Sequence, residues 1–437
     1  MSATIPAEER DHRSFGDGKP VLVDRKLLVL DTAFTFEAIR DRGLEATILC
    51  RDLRGYFTKV WSVHPFATLL TSDAWGQKCG RPSIFELSPT HIVIEGKVGR
   101  YSWLDRFFAV NFLLSQIGLF LMLARLIRRE RVTVIRAGSP LYLGLFAWAL
   151  SRTCRIPFVV RIGANHDKIH ESTGRPMEPR LMRSRRIEKL VERFIFRRAD
   201  LVAGANQDNL DFALANGARP EATTLFRYGN LIDARHFETR SARATDSAVL
   251  RRFGLESKTF MLFIGRLEPP KHPDDVLRLL AEVRRQGFDL TLLLSGAGTL
   301  QAELAALADE LGIRESVIFA GNCRQEELAA LIPAAAVVAS PHTGRALAEA
   351  ALGEAPITAY DIDWQGELIE SGATGELVPY RDWRAMAAAV IRYLKDPDHA
   401  RRMGKAVSER ARRLLDPAKL DAHEQREYQK LIQRWRS

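Results

Sequence analysis

Short apolar, β-branched runs recur along the chain and alternate with longer amphipathic or apolar stretches. KLLVLD (Lys26–Asp31) predicts a strand and FTFEAIRDRG the helix after it; EATILC, HIVIEG, VTVIRA, FVVRIG and LVAGA repeat the strand signal. Continuous apolar strands separated by helices predict a parallel sheet covered on both faces. Glu238–Ser247 (ETRSARATDS) then breaks the pattern and reads as a linker. Beyond it the alternation restarts with TFMLFIG, a helix from about Pro273, DLTLLLSG, a helix from about Thr299, SVIFAG, AVVASP and PITAYD; three helical runs from about Trp383 close the chain. The expected fold class is therefore α/β, with two Rossmann-like, doubly wound domains facing an interdomain cleft. The predicted boundaries are a disordered tail over 1–20, an N-terminal domain over 21–240, a C-terminal domain over 248–415, and a helix over 416–437 packing back on the N-terminal domain. Ligands of open α/β sheets bind beyond the carboxyl ends of the strands, which makes the cleft the expected site.

Composition narrows the class without choosing a partner. With 437 residues, 46% hydrophobic and 27% charged, the chain is globular and too long for one core, which excludes fibrous and low-complexity readings. Sixty-four Lys and Arg against 54 Asp and Glu leave a net charge of +10, which suits phosphorylated substrates, nucleic acid or an acidic membrane. No recognised nucleic-acid module accompanies that charge, so no nucleic-acid partner is expected. Cys50, Cys79, Cys154 and Cys323 lie far apart with no CxxC pair, so neither a disulfide framework nor a structural metal site is expected, and a reducing cytosol fits best.

Two stretches bear on membranes. Phe107–Ile127 (FFAVNFLLSQIGLFLMLARLI) approaches the length of a spanning helix, but Asn111, Ser115, Gln116 and Arg125 interrupt it and a strand follows, which predicts a buried crossover helix. The basic run Arg180–Asp200 interleaves Leu181, Ile187, Leu190, Val191, Phe194 and Ile195 at helical spacing. That pattern fits both a helix lying on an anionic membrane and a core-packed helix with a solvated basic face.

Four strand ends of the second half carry candidate chemistry. After the first, Gly265 allows a sharp turn, and Arg266 and Lys271 place two cations where a diphosphate would be held. After the second, Gly296 and Gly298 form a small-residue turn with backbone N–H groups for an anion. The third ends at Asn322, in a loop able to meet a nucleobase edge. The fourth runs SPHTGRALAEAALGE: Gly344 opens a helix whose first turn can hold phosphate, and Glu349, further along, can accept hydrogen bonds from vicinal ribose hydroxyls.

Taken together, GRLEPPK, the SGAG turn, FAGN…EEL and GRALAEAALGEAPITAYDIDWQGELIESGATGELVP, spanning about Phe260 to Pro379, resemble the donor-nucleotide domain of retaining glycosyltransferases of family 4 with the GT-B fold. RRADLVAGANQDNLDFAL and FRYGNLIDARHF resemble the same family more faintly. The resemblance implies that Arg266 and Lys271 neutralise the donor diphosphate, that Glu349 is the second Glu of the family's Glu-x7-Glu motif and holds the ribose, and that Gly344, Arg345, Ala346 and Leu347 form the helix start around phosphate and sugar. The first motif Glu falls at Pro341, with His342, Thr343 or Arg345 as compensating groups, and the family's Gly-rich first loop is replaced by DTAFTFEAIRDRG, with Thr32 and Thr35 as its polar groups. His166, after FVVRIG, is the nearest match to a His that contacts the reacting centre, with Asn165 and Asp167 beside it; His64 is a weaker match. The implied activity is retaining, metal-independent sugar transfer from a nucleotide-diphosphate-sugar to a glycan or lipid-linked acceptor. No cofactor is expected, and the place implied is the cytoplasm, peripheral on the inner membrane face. The alternatives are a nucleotide-sugar epimerase and a non-catalytic scaffold.

Overall fold

In β1 (Lys26–Leu30) the residues Leu27 to Leu30 are all buried, as expected of a central parallel strand packed on both faces. A computed structural model describes residues 24–71, 74–238 and 247–436. The expected tail and most of the expected linker lie outside the described residues. The remaining strands are β2 (Lys59–His64), β3 (Ser83–Ser88), β4 (His91–Glu95), β5 (Val134–Ala137), β6 (Phe158–Ile162), β7 (Leu201–Gly204) and β8 (Thr223–Leu225), then β9 (Phe260–Ile264), β10 (Thr291–Ser295), β11 (Val317–Gly321), β12 (Val337–Ser340), β13 (Ile357–Tyr360) and β14 (Glu376–Val378).

Two sheets form. The first runs β3-β4-β2-β1-β5-β6-β7-β8, parallel except for β3 at its edge; the second runs β11-β10-β9-β12-β13-β14, all parallel. The second is the doubly wound order, with its topological switch between β9 and β12; the first switches between β1 and β5.

Strand alternation divides the core of the first domain. Leu28, Leu30, Ile135, Ala137 and Val160 pack under the helices Phe108–Glu130, Tyr142–Cys154 and Arg185–Arg198. Leu27, Val29, Val134 and Val159 point the other way, against Tyr428, Leu431 and Ile432 of the C-terminal helix Pro417–Arg436. That last helix thus closes the N-terminal sheet although it follows the C-terminal domain in sequence.

Three local expectations change. EATILC is not a strand: Glu45–Leu49 is a short helix, and Ile48 packs with Ile39, Leu44 and Val93, so tertiary contacts override the β-branched signal. The helix Phe108–Glu130 is a crossover helix but is buried on one side only. Its polar interruptions Asn111, Ser115 and Gln116 are the inward residues, while Val110, Leu113, Ile117 and Leu121 are exposed. In the basic run, Ile195 and Phe196 enter the core, Glu188 and Glu192 are fully buried, and Ile187 and Leu190 face outward.

Candidate functional site

The ends of β1, β5, β9 and β12 converge on one cleft of about 470 Å³, so both topological switch points open into the same space. From the second domain the cleft is lined by Gly265, Arg266, Lys271, Gly296, Asn322, Thr343, Gly344, Arg345, Ala346 and Glu349. Lys271 is half-buried; burial, and then the charge of Arg266, pull its ammonium down to about 8. Among the described residues neither cation has a carboxylate within ion-pair distance, which leaves both free for an anion. The helix Arg345–Leu352 begins at Gly344 with no side-chain cap, so its first N–H groups face the cleft with the positive end of the helix behind them. Gln365 Nε2 donates to the carbonyls of Ser340 (2.8 Å) and Pro341 (3.1 Å) and holds this loop in place.

Glu349 is 2% exposed, and Arg345 Nε lies 2.9 Å from its Oε1 without a well-directed hydrogen bond, leaving that oxygen's bonding capacity unused. A vicinal diol arriving here meets a carboxylate whose charge is already balanced. Arg345 also donates to Thr47 Oγ1 (3.3 Å) and thereby links the two domains across the cleft.

The first domain contributes groups that sequence reasoning missed: Arg42, Arg51, Arg136, Arg161, Asp31 and Thr47. Arg51 pairs with Asp31 at 2.6 Å; burial raises that carboxyl, but Arg51, the Ala33 N–H and Arg136 together hold it below the usual carboxylate range. Arg136 and Arg161 project from the sheet face covered by the C-terminal helix, where Glu424 lies 3.8 Å and 3.6 Å from them. Asn230 donates to Glu424 at 2.9 Å, and Arg161 donates to the carbonyls of Phe226 (2.7 Å) and Arg227 (2.9 Å). The sequence did carry a signal: Arg136 and Arg161 each interrupt an otherwise apolar strand. A buried guanidinium in such a place needs a partner and a purpose.

Four expected site residues stand elsewhere. A Cβ on Gly298 would meet the Leu267 carbonyl oxygen at 2.2 Å, so that glycine serves close chain packing. Gly296 does line the cleft, but its φ of +150° and an approach of 1.8 Å from a built Cβ to the Gly265 carbonyl oxygen are what require glycine. Leu347 is fully buried in the core. His342 braces two loops, with Nδ1 2.9 Å from the Pro270 carbonyl and Nε2 3.3 Å from Asp363. His166 is 3% exposed, with Nδ1 2.7 Å from Glu192, and lines an adjoining groove instead of the cleft. Asn165 caps the helix His166–Thr173, Asp167 pairs with Arg185 (2.8 Å) and Lys189 (3.0 Å), and Thr35 caps Phe36–Asp41. His64 is buried, which draws its imidazole down to about 4. Among the described residues no three His, Cys, Asp or Glu side chains gather as a metal site.

Both domains have counterparts among known proteins. Residues 250–410 match the family model of glycosyl transferases group 1, and residues 33–229 that of the glycosyl transferase 4-like domain. Alpha-D-kanosaminyltransferase of Streptomyces kanamyceticus is 27% identical over 267 residues, 60% of this chain and 67% of that protein. The GDP-mannose-dependent alpha-(1-6)-phosphatidylinositol monomannoside mannosyltransferase of Mycolicibacterium smegmatis is 32% identical over 166 residues. That match covers 36% of this chain and 44% of the relative, so the chain spans less than half of the latter's length. Among solved structures, Anabaena Alr3699/HepE in complex with UDP-glucose superposes with a TM-score of 0.69 at 18% identity, covering 91% of this chain and 97% of that one. That likeness concerns the fold.

Proposed function

We infer the function from one premise: the chain belongs to the GT-B glycosyltransferases of the group 1, family 4 type. On that premise it transfers a sugar from a nucleotide-diphosphate-sugar to an acceptor hydroxyl in glycan biosynthesis. The relatives are named for glycosyl transfer, and the solved neighbour binds UDP-glucose. The observation that carries the reading is the convergence of Arg266, Lys271, the uncapped helix start at Gly344 and the buried Glu349 on one cleft.

Each group has a task. Arg266, Lys271 and the N–H groups after Gly344 take the diphosphate, and the ribose hydroxyls bond the carboxylate of Glu349. The bond from the anomeric carbon to the β-phosphate oxygen breaks and its electron pair stays on the diphosphate, where the cations stabilise it. The acceptor oxygen bonds the anomeric carbon from the face the diphosphate leaves, and its proton passes to the departing phosphate oxygen, so configuration is retained. Charge stabilisation comes from side chains and a helix end, which makes the transfer metal-independent. The four cysteines are all free thiols, in keeping with a cytoplasmic place of action.

A thermal-shift screen of nucleoside diphosphates followed by NMR of the product tests this. A nucleotide that raises the melting temperature, and an axial product from an axial donor, are the expected results; an inverted product overturns the retaining mechanism. Absence of any shift across the panel overturns the donor site.

A further inference from the structure

The Phe108–Glu130 helix is inverted relative to an ordinary core helix over its first half. Asn111 accepts from the N–H groups of Arg100 (2.6 Å) and Tyr101 (2.9 Å), Ser115 donates to the Lys97 carbonyl (2.7 Å), and Gln116 accepts from the Tyr142 hydroxyl (2.7 Å), all on the inward side. The outward side shows Val110, Leu113, Ile117 and Leu121, each 46–58% exposed, with Trp103 and Phe107 before them at 73% and 64%. Such a contiguous apolar face on a soluble domain marks a contact surface.

Charge says what covers it. From Arg106 to Arg129 the chain has no acidic residue; Arg106, Arg125, Arg128 and Arg129 are exposed at the two ends of the apolar stripe, against Asp105 before it and Glu130 after it, which pairs with Arg129 (2.9 Å). In the same layer, the helix Arg185–Arg198 buries both its acids, Glu188 and Glu192, and turns Arg186, Arg193, Ile187 and Leu190 outward. Apolar side chains rimmed by arginines in excess of the exposed acids complement an anionic lipid surface. This helix is the one described segment long and apolar enough to cross a membrane, but its inner side is committed to the sheet through Leu119, Leu123 and Ile127, so it lies on a bilayer instead of spanning it.

A groove of about 700 Å³ connects this face to the cleft. Its outer walls are Phe108, Phe112, Met177 and Leu181; its inner end is Asp31, Gly138 and Gly163, which also line the cleft. We propose that this face docks on an anionic bilayer and that the groove takes the hydrocarbon chain of a lipid-borne acceptor, presenting the acceptor's hydroxyl at the inner end. The second half of the proposal rests on the transferase reading.

The test is flotation of the full chain with vesicles of phosphatidylglycerol and phosphatidylcholine, against vesicles of phosphatidylcholine alone. Binding to the anionic vesicles only, weakened by salt, is expected. The surface variant L113E/I117E should keep its melting temperature and its nucleoside-diphosphate shift while losing at least about tenfold in vesicle partitioning, from lost apolar insertion and added like charge. For the groove, 11-(dansylamino)undecanoic acid should gain fluorescence with the native chain and not with M177D. Equal binding to neutral vesicles, undiminished binding by L113E/I117E, a dimer that this variant dissolves without any vesicle binding, or a dansyl signal indifferent to M177D would each overturn the proposal. A nucleotide shift without vesicle binding sinks the membrane face and leaves the transferase reading standing. Vesicle binding without any nucleotide shift does the reverse.

Discussion

The two walls of the cleft are both cationic but are built in opposite ways. The second domain presents Arg266 and Lys271 from one loop, without carboxylate partners among the described residues, beside an uncapped helix end. The first domain presents Arg51 from a short 3-10 turn and Arg136 and Arg161 from two strands, each held from within: Arg51 by Asp31, the other two near Glu424 of the C-terminal helix. A free cation at a loop is available to a ligand and contributes little to folding. A buried cation held by a carboxylate is part of the fold and shapes the field of the cleft from a fixed position. The difference teaches that charge at one site can be divided between a ligand-binding role and an architectural one.

That division can be broken at its strongest point first. Glu424→Gln leaves Arg136 and Arg161 buried without their counter-charge, and should lower unfolding stability by about 3–5 kcal/mol in a denaturant titration. A loss below about 1 kcal/mol would mean that the first wall is no more architectural than the second. Lys271→Ala should instead leave the melting temperature nearly unchanged and weaken nucleoside-diphosphate binding by roughly 10–100-fold in calorimetry, the worth of a charge-assisted hydrogen bond.

A finer contrast comes from Glu349→Ala, which on the proposed ribose role should weaken a nucleoside diphosphate by roughly tenfold while leaving inorganic pyrophosphate nearly unaffected. Equal losses for both ligands would remove the ribose role. The smallest effect is pH-dependent. Lys271 is cationic below about 8 and neutral above it, so diphosphate affinity should fall as pH rises from 7 to 9, by at most about tenfold over that interval. Lys271→Arg should flatten the profile, since a guanidinium keeps its charge throughout that range.

How much of this was legible in advance follows the same line between the walls. In the second domain, strand, turn and helix follow one another within a few residues, so Gly265, Arg266, Lys271, Gly344 and Glu349 could be placed at strand tips from spelling alone, and the structure brings them to one cleft. His342 and His166 could not be judged that way. Their ring nitrogens are engaged by the Pro270 carbonyl and Asp363, and by Glu192, groups a local reading cannot bring near. The helix at Glu45–Leu49 is a similar case: five residues hold too little local preference to resist the packing of Ile48 on Ile39 and Val93. On the crossover helix, the sequence showed which residues were polar but not that they point inward, since the partners that satisfy Asn111 and Ser115 lie in a separate loop.

From its residues alone this chain committed itself to two α/β sheets and to a cationic wall on the second, because hydrophobic period and strand-end chemistry are encoded over stretches of a few residues. Which faces meet was decided by folding in three dimensions: the C-terminal helix returning to set Glu424 beneath Arg136 and Arg161, and the apolar stripe of Phe108–Glu130 left facing outward. Both depend on contacts between segments far apart in the chain, and no local pattern records which distant partner will be there to satisfy a buried charge or cover an apolar face.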